Sequence, residues 1–240
     1  MISDEKRRVG IMQPYFFPYI GYLQLVHAVD TFVFYDDVNF IKKGWIHRNQ
    51  LAINGQASLF SIPLKDMSQN KKINEIYVDS SFVNWREKFL KTLEQNYKKA
   101  PFFAETFALV ERVLFRENQP KMSELAFWSI EEIATYVGIT TKLMPSSAVY
   151  QNEELKAQER IISICETEKA TTYINPIGGK ELYNVQDFKE KGMELYFLRP
   201  MPLVYSQGKF EFIPWLSTID VLMHHSAPDF LSLLTNYTLE

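Results

Sequence analysis

The chain has 240 residues, with 26 Lys+Arg against 29 Asp+Glu and a formal net charge of −3. That balance excludes generic nucleic-acid binding, which needs a cationic surplus to displace counterions. A lone cysteine, Cys165, excludes an intrachain disulfide, and its apolar helix-like setting marks it as a buried thiol.

The composition is 46% hydrophobic and 15% aromatic, which supports a substantial core and leaves aromatic surface to line a pocket. The start, Met1–Arg8, is charged, and prolines break the apolar run after it, so no secretory signal is expected. No apolar run reaches the roughly 18 residues of a membrane span, and the cytoplasm is the expected compartment.

"RVGIM" reads as a buried strand, Gly21 to Ala28 as a short helix turning Leu23 and Val26 inward, and "TFVFYDDV" as a second strand. Together they make a βαβ-like unit, whose ligand site falls beyond the carboxyl ends of its strands. Asn54-Gly55 between two alternating runs predicts a hairpin pairing Trp45–Ile53 with Gln56–Pro63. "INEIYVD" reads as a further strand. Three helices follow, over "SSFVNWREKFLKTLEQNYKKAP", "FFAETFALVERVLFRE" and "KMSELAFWSIEEIATYVG", the last ending on Gly138.

"TTKLMPSS" reads as a strand, "NEELKAQERIISICETEKA" as a helix, "TTYIN" as a strand, "NVQDFKEKG" as a helix and "MELYFLRP" as a strand. The tail "PWLSTIDVLMHHSAPDFLSLLTNY" reads as largely helical. The expected fold is α/β: a Rossmann-like, mostly parallel sheet with a β-hairpin and a helical insertion. The whole of residues 1–240 is expected to be one domain, with a weak seam near 118–122.

The first loop carries the strongest functional signal. Pro14 and Pro18 fix their own φ and hold the preceding residues out of helix. A segment so stiffened loses little entropy on holding a ligand. Tyr15 and Tyr22 are candidates to stack on a base or sugar, and Gln13 to orient an acceptor. Gly21 allows close approach at a helix start whose free N–H groups favour an anion.

Asp36 and Asp37 end the second strand and are candidate general bases, with His47 behind them. Neighbours on a strand face opposite ways, so at most one aspartate is expected in the site unless the strand has become a turn. Which one is open. Arg48 is a candidate two-pronged anion grip, with Lys43 and Asn49 beside it and Lys42 near by. If the strand starts at Trp45, His47 and Arg48 point to opposite faces. Gly178, Gly179 and Lys180 form a candidate anion-facing turn without Walker spacing.

Ser217, Asp220 and His224 have helical spacing, yet no nucleophile-elbow sequence accompanies them. No His/Cys or HExxH pattern points to zinc, and no cofactor is indicated.

Taken together, "MQPYFFPYIGY", "DTFVFYDDVNFIKKGWIHRNQL", "YINPIGGKELY" and "YSQGKFEFIPWLSTIDVL" resemble the WbqC-like family of bacteria, from about Val9 to about His225. The resemblance implies a place in O-antigen or other surface-polysaccharide biosynthesis, since family members are associated with such gene clusters. It also implies glycine or aminoacyl transfer to amino sugars, and supplies no catalytic assignment. The expected partner is therefore a small-molecule nucleotide sugar or an activated acyl or aminoacyl donor. Two alternatives stand beside this transferase. One is a nucleotidylyltransferase-like or ATP-dependent ligase enzyme. Its first-loop layout is similar, with Tyr22 where a second phosphate-gripping histidine would stand. The other is a non-catalytic nucleotide- or sugar-binding partner protein.

Overall fold

A computed structural model describes residues 6–240; the beginning of the charged N-terminus, residues 1–5, lies outside them. Strand β1 (Arg8–Met12) leads through a loop into α1 (Ile20–Ala28) and on to β2 (Thr31–Phe34). The chain then forms an antiparallel hairpin of β3 (Arg48–Ile53) and β4 (Gln56–Ser61). Asn54 and Gly55 both take positive φ, 52° and 76°, as the predicted two-residue turn requires.

Three helices follow: α2 (Phe82–Tyr97), α3 (Phe103–Phe115) and α4 (Met122–Val137). Gly138 closes α4 with a left-handed φ of 83°. Next come β5 (Lys142–Met144), α5 (Ala157–Thr167), β6 (Thr172–Pro176), α6 (Val185–Glu190) and β7 (Glu194–Pro200). The C-terminal part is α7 (Thr218–His224), α8 (Ala227–Leu233) and β8 (Tyr237–Leu239).

Six strands form one sheet in the order β5-β2-β1-β6-β7-β8. Every pairing is parallel except β7 with β8. Counting only these strands, the order is that of a Rossmann sheet, so the expected fold class is observed. The hairpin and α2–α4 all lie in the long connection from β2 to β5.

Side chains alternate between the two faces of the sheet, as period-2 geometry dictates. Phe32 and Phe34 enter the larger apolar cluster with Leu23, Leu25 and the inserted helices. Val9, Ile11 and Val33 enter a smaller cluster under α5 and α6, with Ile161, Ile164 and Phe188. Each such fully buried side chain contributes about 1.5–3 kcal/mol.

Local structure departs from the expectation in several places, beginning with β2, which stops at Phe34 and leaves 35–38 of "TFVFYDDV" outside the strand. "INEIYVD" is not a strand: Ile73–Glu75 is a single 3₁₀ turn, and its neighbours make only isolated bridges to Asn39, Leu64 and Lys121. Residues 42–47 are turns and bends, so β3 starts at Arg48 and the strand-face separation of His47 from Arg48 does not apply. The last residues add an edge strand, β8, to β7. The stretch 118–122 joins α3 to α4, and Met122 N–H donates to the Ile76 carbonyl at 2.7 Å.

The switch in strand order lies between β1 and β6, where Rossmann sheets open a crevice at their carboxyl edge. Gln13 leaves β1 there, and the turn at 177–182 leaves β6 there. Gly21 settles how α1 sits against this edge. A Cβ at Gly21 would lie 2.3 Å from Tyr19 Cε2 and 2.7 Å from Pro200 Cγ. In an open helix, Ala in place of Gly stabilises by about 1 kcal/mol. Here the sign should reverse: Gly21→Ala is expected to destabilise by about 1–3 kcal/mol, as overpacking does. Chemical denaturation measures it, and a more stable variant would contradict the tight packing.

Candidate functional site

The loop between β1 and α1 forms a rigid aromatic corner. Phe16 and Phe17 are fully buried, and their rings meet edge to face at 4.7 Å. Phe17 adopts a left-handed φ of 38°, which an aromatic residue rarely takes. Its carbonyl accepts from Asn49 Nδ2 at 2.6 Å and from Ser217 Oγ at 2.7 Å. Its N–H donates to Ser129 Oγ at 3.1 Å. The Phe16 N–H donates to the Ile46 carbonyl and the Thr218 N–H to the Pro18 carbonyl. Hairpin, α4 and α7 thus all grip the same few residues.

The tyrosines of the corner divide into two kinds. Tyr22 is buried, and its hydroxyl donates to the Gln13 carbonyl at 2.9 Å. It cannot stack on a ligand, which corrects that expectation. It also leaves the nucleotidylyltransferase-like layout without a phosphate-facing group at this position. Tyr15 and Tyr19 remain half-exposed and belong to a surface track. Successive rings run from Trp215 to Tyr19 at 5.9 Å, to Tyr15 at 6.5 Å and to Trp45 at 6.4 Å. Trp215 is 66% and Trp45 47% exposed, so both ends of the track face solvent.

Arg48 closes the Trp45 end, its guanidinium 5.3 Å from that ring's centre. Nε donates to the Gly44 carbonyl at 2.8 Å and Nη2 to the Lys43 carbonyl, leaving Nη1 without a partner among the described residues. Burial and the neighbouring Tyr19 push the Tyr15 hydroxyl's pKa up, and the Arg48 charge opposes them. The lysines at 42 and 43 are exposed. Sequence reasoning placed Tyr15 and Arg48 in the site but missed Tyr19, Trp45 and Trp215. The signal for Tyr19 was its place at the helix start, directly after Pro18.

The two aspartates lie beyond the end of β2, where the strand has already turned, and both are buried. Asp36 Oδ1 accepts from Ser146 Oγ at 2.6 Å and from the Ser147 N–H at 3.2 Å. Asp36 Oδ2 takes no hydrogen bond from the described residues. Burial pushes the Asp36 carboxyl up, against the pull of Ser146. Asp37 accepts from Ser147 Oγ and pairs with Arg160 Nη2 at 2.5 Å, both members buried. Arg160 also lies 5.0 Å from the centre of the half-buried Tyr35 ring. Ser146, Ser147 and Arg160 come from the end of β5 and from α5, distant in sequence, so no local motif announced them.

Asn49 turns inward to the Phe17 carbonyl and positions the corner. Gly179 packs against Asn175: a Cβ there would stand 2.2 Å from Asn175 Oδ1. Asn175 in turn donates to the Tyr173 hydroxyl at 2.6 Å. A Cβ at Gly178 would meet nothing within 4 Å, and Lys180 pairs with Glu240 at 3.4 Å on the surface. Ser217 and Asp220 have different partners: Ser217 holds Phe17, while Asp220 accepts from the hydroxyls of Tyr97 and Tyr205, each at 2.6 Å. The helical spacing of Ser217, Asp220 and His224 therefore does not assemble a triad. Among the described residues no group of three or more His, Cys, Asp or Glu is placed to hold a metal, and no helix is long and apolar enough to cross a membrane.

His47 is buried beside the Phe40 ring, with Nδ1 unpaired among the described residues. Burial, helped by the Arg48 charge, pushes its pKa down to about 4. The unfolded chain takes up this proton near pH ~6.5 and the folded chain only near its lowered value, so His47's contribution is level above ~6.5 and falls on acidification below it. Between pH ~7 and ~5 the loss should be about 1–2 kcal/mol. Urea unfolding across that range should show a shallower dependence in His47→Gln. Equal slopes in the two proteins would mean that the imidazole titrates as it does in water.

A relative from Mycobacterium tuberculosis (strain ATCC 25618 / H37Rv), the uncharacterized protein Rv1507c, is 28% identical over 229 residues, covering 94% of this chain and 97% of the relative. No solved structure matches the chain. The model of the WbqC-like protein family matches residues 13–230, from the aromatic corner to α8, and the chain belongs to that family.

Proposed function

We propose that the carboxyl edge of the sheet binds a nucleotide-linked amino sugar, and that the protein transfers an acyl or aminoacyl group to its amine in surface-polysaccharide biosynthesis. The observation that carries this reading is the track from Trp215 to Trp45 with Arg48 at its end. Aromatic faces suit sugar and base rings, and a guanidinium suits a diphosphate. Gln13, at the β1 side of the switch in strand order, would orient the acceptor, and the exposed Gly178 would face an anion with Lys180 beside it.

In the reaction, the amine nitrogen attacks the activated carbonyl. A C–N bond forms, the bond to the leaving group breaks, and the amine proton passes to a base. Asp36 suits that task better than Asp37. Its pKa is raised by burial, and Oδ2 is without a partner among the described residues. Asp37 is held on both oxygens, by Ser147 and Arg160. His47, pushed down to about 4, is a weaker base. A second reading, a non-catalytic sugar- or nucleotide-binding partner, is favoured by how fully Ser146, Ser147 and Arg160 engage the aspartates. It predicts binding without turnover.

Thermal denaturation with UDP-linked amino sugars tests the reading. Ligand at about one hundred times Kd stabilises by ~2.7 kcal/mol, a shift of several degrees. Arg48→Ala should keep the ligand-free melting temperature and lose the shift. A full shift in the variant, or none in the native protein, would remove the track from the binding site.

A further inference from the structure

Residues 201–217, between β7 and α7, carry neither helix nor strand. Connections of this length are uncommon in compact proteins, and many of them carry function. This one is held in shape. Gln207 is buried: its Nε2 donates to the Ile213 carbonyl and to Asp220 Oδ1, both at 3.0 Å, and its Oε1 accepts from the Ile213 N–H at 2.7 Å. Tyr205 donates to the same Asp220 oxygen. Phe210 packs over the hairpin turn, where a Cβ at Gly55 would stand 2.6 Å from its ring. Trp215 is displayed from a left-handed backbone with φ 61°.

The loop so braced forms one side of a cavity of about 350 Å³ that opens to solvent. Its walls include Tyr19, Leu203, Tyr205, Phe212, Ile213 and Trp215. The lining is predominantly apolar, and the Tyr205 hydroxyl is engaged by Asp220. A nucleobase or sugar would leave its polar edge unpaired there. Val204 and Trp215, 75% and 66% exposed, extend the apolar surface at the rim. Tyr19 belongs both to this wall and to the aromatic track.

We infer that this cavity is a binding site for an unbranched apolar chain, the tail of an amphiphile whose head lies on the Tyr19–Tyr15 track. Apolar cavities of ~150 Å³ take a benzene molecule, so the volume here suits a chain of about eight to twelve carbons. On the transferase reading, which this role alone rests on, the chain belongs to the activated acyl donor. The cavity binds such a chain whether or not that reading holds.

Titration calorimetry with neutral 1-alkanols from butanol to decanol tests the site without engaging Arg48. Each added methylene should tighten binding about fourfold, equivalent to ~0.8 kcal/mol. Leu203→Trp fills the cavity and should abolish the dependence on chain length. Ile213→Trp, at another lining residue, serves if the first variant loses its native circular dichroism. Arg48→Ala should bind the alkanols as the native protein does. Chain binding with no nucleotide-sugar shift would therefore overturn only the transferase reading. Affinity independent of chain length, equal binding in the filled variants, or capture by phosphatidylcholine vesicles without saturable alkanol binding would each overturn the cavity site. The last outcome would make the loop a membrane-surface patch.

Discussion

Asn49 and Ser217 both donate to the carbonyl of Phe17, and Ser129 accepts from its N–H. This peptide joins the hairpin, the helical insertion and the C-terminal helices to the end of β1. A left-handed aromatic residue costs of order 1–3 kcal/mol. Three hydrogen bonds at about 1 kcal/mol each offset that, and leaving the buried peptide unpaired would cost more still. Without the clamp, Pro14 and Pro18 would stiffen a loop that nothing aims. With it, Tyr15 and Tyr19 stand at a fixed place on the carboxyl edge of the sheet.

The same clamp explains why side chains that look catalytic in sequence are structural here. Asn49 and Ser217 are buried polar residues whose hydrogen bonds all go to the corner and its surroundings. Asp220 lies on α7, just beyond Ser217, and is satisfied by Tyr97, Tyr205 and Gln207. It therefore secures the loop that forms the apolar cavity. Track and cavity share Tyr19, and both depend on the approach of α1 to β7 that Gly21 permits. A single constraint at the end of β1 thus shapes both the cationic end of the track at Arg48 and the apolar end at Trp215.

Much of the fold was legible because it is written in local signals. β-Branched and aromatic content marked β2, alternation marked the hairpin, Asn54-Gly55 marked its turn, and Gly138 marked the end of α4. The failures also have local causes. "INEIYVD" has strand composition, but a 3₁₀ turn and isolated bridges took its backbone groups. The β8 segment is three residues long and depends on an edge supplied by β7. Of the candidate site, the proline-braced loop, Tyr15 and Arg48 stood out by composition. Tyr22 misled because burial is not visible in a short helix that is apolar all round. Arg160, Ser146 and Trp215 were hidden because only the strand order brings them to this edge.

Amide hydrogen exchange at the corner tests the clamp most directly. The Phe16 and Phe17 N–H groups donate to Ile46 and Ser129, both at 3.1 Å, inside a fully buried cluster. Although they lie in a loop, they should exchange as slowly as the amides of β1 and α1, opening only with the core. Exchange at the rate of an exposed loop such as residues 66–70 would contradict the account, since the track would then have no fixed support.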